Sequence, residues 1–165
     1  LEQIAAELPI PGLHIADVVC REIGARGWTR VGLLGTRWTM TGPVYAAALA
    51  KCDLERLIPA APMRERLNAA IFDELCQSIF SDPTTRLFVQ AIEELERDGA
   101  QCVILGCTEI PLVVTPDNSP LPTLDSTRLL ARYAVREAVN ERPIDMASGW
   151  LTISKPEGVR PPGRS

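Results

Sequence analysis

At residues 103–109 the chain reads Val-Ile-Leu-Gly-Cys-Thr-Glu, which sets a thiol between a glycine and a threonine after a run of apolar β-formers, with a carboxylate two residues on. Residues 31–36, Val-Gly-Leu-Leu-Gly-Thr, share the build of apolar strand, glycine, then threonine, with Thr39 close behind. A strand that stops at a glycine delivers the next residues to the end of a sheet, where they face a cleft. Glycine there lets backbone amides approach an anion closely, and the hydroxyls of Thr36, Thr39 and Thr108 would add donors. Two such strand ends side by side are therefore expected to bind a small carboxylate. Helix N-termini nearby would add positive potential, lowering the pKa of the Cys107 thiol and favouring its thiolate. The same residues admit plainer readings. Cys107 could be a small buried residue closing a strand, Thr36 and Thr39 ordinary helix N-caps, and Glu109 a first-turn acid. His14, the one histidine, lies between apolar residues and reads as a structural group.

The elements that must position these side chains follow from periodicity. Ile15, Val18, Val19 and Ile23 recur at helical spacing and stop at Gly27, so residues 15–26 read as a helix with a glycine C-cap. Residues 30–36 read as a short buried strand, and the helix after it takes Thr41 as N-cap with Pro43 in its first turn. A weak strand is expected near residues 54–60. Leu67, Ile71, Leu75 and Ile79 predict a helix over 63–80, and Phe88, Ile92 and Leu95 another over 84–98, separated by Ser-Asp-Pro. Residues 100–106 form the second clear strand, 120–125 a third, and 126–139 a closing amphipathic helix. Strands alternating with helices predict an α/β fold, a parallel sheet covered on both faces. From Arg142 onward proline and glycine replace helical periodicity, and the chain reads as an irregular tail.

Composition narrows the function classes. The 165 residues, 46% hydrophobic and 23% charged, suffice for one globular core. A net charge of −4 and no cluster of Lys and Arg argue against a nucleic-acid surface. The longest apolar stretches fall far short of a membrane span, and the acidic first residues are no signal peptide and read as an internal start. Five cysteines at irregular spacing, with no Cys-x-x-Cys pair, suggest free thiols in a reducing cytoplasm and no metal site. Trp28, Trp38 and Trp150 are too scattered to form a stacking platform.

Val-Ile-Leu-Gly-Cys-Thr-Glu-Ile-Pro closely resembles the second cysteine motif of the aspartate/glutamate racemase family. The order of the other segments agrees: 31–49 resembles that family's strand-Thr-x-x-Thr-helix, 71–80 and 91–111 the helices and strand leading to the cysteine, and 122–135 its closing helix. The resemblance covers residues 1 to about 140. It implies a Rossmann-like parallel-sheet domain, one of two pseudo-symmetric halves that face each other across the substrate. It also implies the chemistry, in which one thiolate removes the α-proton of an amino acid while a thiol on the opposite face returns one, without pyridoxal phosphate. On this resemblance Cys107 is the acid/base of the second half. Thr36, Thr39 and Thr108 hold the substrate's carboxylate and amino group, Glu109 orients or activates the thiol, and neither cofactor nor metal is used.

The implied organisation is a remnant of the first domain with its connecting helix over 1–28, the second racemase-type domain over 29–123, the closing helix over 124–142 and the tail over 143–165. The first-half cysteine would lie upstream of Leu1, and the apolar faces of 1–28 and of the closing helix would be exposed or covered by another chain; a homodimer is one association open to it. Members acting on acidic substrates meet the side-chain carboxylate with basic residues, yet Glu-Leu-Cys-Gln-Ser-Ile-Phe at 74–80 holds no Lys or Arg. Related carbanion enzymes (hydantoin racemase, maleate isomerase, malonate decarboxylase) and a non-catalytic carboxylate-binding domain are the alternatives. A nucleotide-binding Rossmann domain is disfavoured, because no Gly-x-Gly-x-x-Gly follows either main strand.

Overall fold

In a computed structural model, which describes residues 12–139, four short strands form one wholly parallel sheet in the order β2-β1-β3-β4. The strands are β1 (Arg30–Leu34), β2 (Glu55–Leu57), β3 (Cys102–Leu105) and β4 (Thr123–Asp125), and the two strands singled out in the sequence lie side by side at its centre. β1 and β3 pair from Val31 opposite Cys102 to Leu34 opposite Leu105, so both end at the same level. At their other ends the Gln101 side-chain carbonyl accepts the backbone N–H groups of Thr29 and Arg30, at 2.7 and 3.0 Å.

Alternation along the two central strands divides the core. Val31, Leu33, Cys102 and Ile104 point to one face, where they pack with α1 (Ile15–Ala25), α3 (Pro43–Lys51) and Leu124. Leu34, Val103 and Leu105 point to the other, against α4 (Ala61–Asp73) and α5 (Asp82–Arg97). Because both faces are covered, β1 from Val31 on and all of β3 are buried, which explains their unbroken apolar sequence. At Gly32 a side chain would run into Leu95, its Cβ lying 2.9 Å from Cδ1, so a glycine lets α5 sit close on β1. The closing helix α6 (Ser126–Val139) is tied to β3 by the buried Ser126 hydroxyl, which donates to the Leu105 carbonyl at 2.9 Å.

Several elements differ from the sequence expectation, each for a local reason. The helix expected over 63–80 ends at Asp73. A single 3₁₀ turn follows at Leu75–Gln77, and Ser78 takes a left-handed conformation, φ 59°. Glu74 enforces the break: its side-chain Oε2 accepts the hydroxyls of Ser81 and Thr84, at 2.9 and 2.5 Å, while its carbonyl accepts the Ile79 N–H. Ile79, although in phase with Leu67 and Ile71, is consequently 50% exposed. A short helix not read from the sequence, α2 (Arg37–Thr41), fills the space after β1, and Gly42 rather than Thr41 is the N-cap of α3. The face of α1 that was expected to be exposed or covered by another chain is instead buried within this one through Val18, Val19 and Ile23, and α1 to α6 form one compact unit. α6 does leave Val135 and Val139 open to solvent. The expectations for residues 1–11 and for the tail lie outside the described residues. Among the described residues no helix is long and apolar enough to cross a membrane.

Candidate active site

The carboxyl ends of β1 and β3 meet through one backbone bond, the Gly106 N–H donating to the Leu34 carbonyl at 2.8 Å. Immediately beyond β1 the chain turns into α2, with Thr36 as its N-cap: the Thr36 hydroxyl accepts the Thr39 N–H at 3.3 Å and shares a 3.1 Å hydrogen bond with the Thr39 hydroxyl. Thr39 then lies against both strand-end glycines. A Cβ built on Gly35 would stand 2.8 Å from the Thr39 methyl, and one on Gly106 2.9 Å from the same atom. Only glycine at each position allows β1, α2 and β3 to converge this closely. The first residue of α2 is fixed from the side by Asn68 on α4, which accepts the Arg37 N–H at 2.9 Å.

Beyond β3, Cys107 is half-buried against the α4/α5 side of the core. Its thiol donates to Glu109 Oε2 at 2.9 Å, and the exposed Thr108 hydroxyl donates to the same oxygen at 2.8 Å. The structure thus gathers Cys107, Thr108 and Glu109 into one hydrogen-bonded set and Thr36 with Thr39 into another, the two sets adjoining where Thr39 touches Gly106. Glu109 precedes a 3₁₀ turn at Ile110–Leu112, whose Ile110 is fully buried and anchors the loop.

The electrostatics correct one expectation. The Cys107 thiol is pushed up to about 12 rather than down, first by burial and next by the hydrogen bond and negative charge of Glu109. The short α2 and the following 3₁₀ turn do not offset these effects, and the group rests as a protonated thiol. Glu109 is held below the usual carboxylate range by the donors Cys107 and Thr108, so it rests as an anion. A thiol hydrogen-bonded to a carboxylate can deliver a proton to a carbanion, and once deprotonated it is a strong base.

Sequence reasoning left Cys76 out of the site. It sits in the 3₁₀ turn after α4, exposed, and near enough to Cys107 for its charge to raise that thiol further. Trp38 and Phe72 were also missed as a pair; they meet edge to face with ring centres 6.1 Å apart. The signal for Cys76 was the Ser81-x-x-Thr84 pattern, which forces a new helix start and brings the preceding turn to the carboxyl edge of the sheet. No signal in the sequence links Trp38 with Phe72. His14 stands apart from these groups, with Nδ1 3.9 Å from Asp17 Oδ1.

Over residues 1–134 the chain matches the Asp/Glu/hydantoin racemase family. It belongs to that family. Among racemase relatives it is 26% identical over 139 residues to a glutamate racemase of Thermus thermophilus, covering 82% of this chain and 49% of the relative. It is 28% identical over 134 residues to RacX of Bacillus subtilis, described as a broad specificity amino-acid racemase, covering 81% of this chain and 57% of that one. Of solved structures, a Yersinia pestis chain assigned as an Asp/Glu racemase superposes with a TM-score of 0.81 at 36% identity, over 84% of this chain and 61% of the other. This racemase-family chain therefore spans between 49% and 61% of the length of these three relatives. Its α/β sheet has the fold of the part of these relatives that it covers, and the glutamate racemase and RacX are racemases.

Proposed function

We propose that Cys107 is an acid/base of a cofactor-independent amino-acid racemase, exchanging the α-proton of its substrate between carbon and sulfur. The observation that carries this reading is the Cys107 thiol donating to Glu109 at the carboxyl end of β3, next to the paired hydroxyls of Thr36 and Thr39. The substrate carboxylate would be received by these hydroxyls and by Thr108. The Cys107 thiolate would then take the α-proton, or the thiol would return one to the planar carbanion, while Glu109 holds the thiol toward the substrate. No electrons are transferred, and the proton lost from Cα is replaced by one from a protein group. Inversion requires a second base on the opposite face of the carbanion. Proton exchange with solvent requires only one.

That difference sets the test. Candidate amino acids are incubated with the chain in deuterium oxide, and the α-proton signal is followed by NMR. Washout that disappears in Cys107→Ser supports the assignment; washout that persists in the variant refutes it. The protonated state of Cys107 also suits one-sided protonation of a carbanion made by decarboxylation. A decarboxylase would consume a malonate-type diacid and leave the α-proton of amino acids in place.

A further inference from the structure

The substrate's side chain can be read from what surrounds the thiol. Eight large apolar side chains are exposed among the described residues, and five of them, Trp38, Phe72, Ile79, Phe80 and Leu112, belong to segments at the carboxyl edge of the sheet. Trp38 is on α2, one residue before the Thr39 that touches Gly106, and is 61% exposed. Phe72 closes α4 and meets Trp38 edge to face. Ile79 and Phe80 lie in the turn that carries Cys76 toward α5, and Leu112 is in the 3₁₀ turn after Glu109.

Among the described residues, three arginines near this edge already have partners. Arg37 pairs with Glu65 at 3.6 Å and lies over the Trp38 ring at 4.9 Å. Arg56 donates to the Met40 carbonyl at 2.7 Å, and Arg128 pairs with Asp125 at 3.8 Å. Arg86 on α5 is two residues from both Thr84 and Phe88, which are buried, so helical geometry turns it away from the sheet. Glu109 contributes an anion directly beside the thiol. Among the described residues, a second carboxylate on the substrate would meet the Glu109 anion and an apolar rim, while Arg37, Arg56 and Arg128 already hold other partners. An apolar side chain would gain by covering the exposed rings.

We propose that the substrate is an amino acid with a neutral, apolar or aromatic side chain, seated against Trp38 and Phe72. This rests on the reading of Cys107 and its threonines as an amino-acid site, and the test separates the two. The chain is treated with iodoacetamide, and modification of the Cys107 peptide is followed by mass spectrometry in the presence of methionine, leucine, phenylalanine, aspartate or glutamate at equal concentrations. Protection by the apolar amino acids and not by the acidic ones is expected. In Trp38→Ala, with the unprotected rate serving as control for an intact fold, half-protection by phenylalanine should require about five to ten times more ligand. Equal or better protection by aspartate or glutamate overturns the side-chain assignment and leaves the Cys107 reading standing. Apolar protection that Trp38→Ala does not weaken overturns the placement. Protection by none of them overturns the amino-acid reading, and this inference with it.

Discussion

Replacing Glu109 by Gln should make Cys107 more reactive toward an external electrophile and less useful to its own substrate. The carboxylate stabilises the protonated thiol by accepting its hydrogen bond and opposes the thiolate by charge. Both effects raise the thiol pKa, so their removal lowers it. Burial is the larger cause and is untouched, so the value should stay above the ordinary 9.0. The charge contribution follows from the 2.9 Å separation between sulfur and Oε2. Glu109 is only partly exposed, so full water screening sets the smallest effect: two unit charges at that distance repel by at least about 1.4 kcal/mol, about one pH unit. At pH 8, below both values, the thiolate fraction rises about tenfold, while the weaker intrinsic nucleophilicity of a less basic thiolate takes back a factor of about three. Alkylation of Cys107 by iodoacetamide, read from its peptide, should therefore run roughly three times faster in Glu109→Gln. Substrate α-proton washout should fall in the same variant, because a neutral amide oxygen accepts from the thiol more weakly than the carboxylate and orients it less firmly. An alkylation rate unchanged or slowed would refute the electrostatic coupling, and faster washout would refute the orienting role.

Other consequences are open to measurement. Gly106→Ala places a methyl 2.9 Å from the Thr39 side chain and 3.0 Å from the Leu34 carbonyl; urea unfolding should show a loss of about 1–3 kcal/mol, and α-proton washout should fall as the strand ends move apart. Glu74→Ala leaves the hydroxyl of Thr84, which is 3% exposed, without its acceptor, and should cost about 1–3 kcal/mol in the same assay. Cys102 and Cys107 are both raised to about 12 from 9.0, so folding favours their protonated forms. That stabilisation is complete below pH 9 and lost as pH climbs toward 12; unfolding free energy should decline across this window, less steeply in Cys102→Ala. A stability profile flat to pH 11 would contradict it.

What the sequence discloses and what it conceals differ in physical kind. The strands at 30–34 and 102–105, their parallel pairing and the threonine and cysteine at their ends were all readable, because burial on both faces leaves a continuous apolar run and glycine marks where it stops. The length of α4 was not readable. Ile79 keeps the helical phase of Leu67 and Ile71, and only the side chain of Glu74, folded back onto Ser81 and Thr84, ends the helix first. The charge state of Cys107 was equally hidden, since the sequence shows Glu109 two residues away but not the burial that dominates. Trp38 meets Phe72 through the docking of α2 against α4, a contact between segments some thirty residues apart that local pattern does not encode.

The Thr39 methyl group touches the space that a side chain would need at both Gly35 and Gly106. In effect it is a gauge block: one carbon atom sets how near the ends of β1 and β3 stand, and with that the width of the opening between the threonine hydroxyls and the thiol. Positions 35, 39 and 106 therefore form a single tolerance. Thr39→Ser would slacken it while keeping the hydroxyl, and alanine at Gly106 should do less damage in that background than alone, a coupling that a double-mutant cycle would measure directly.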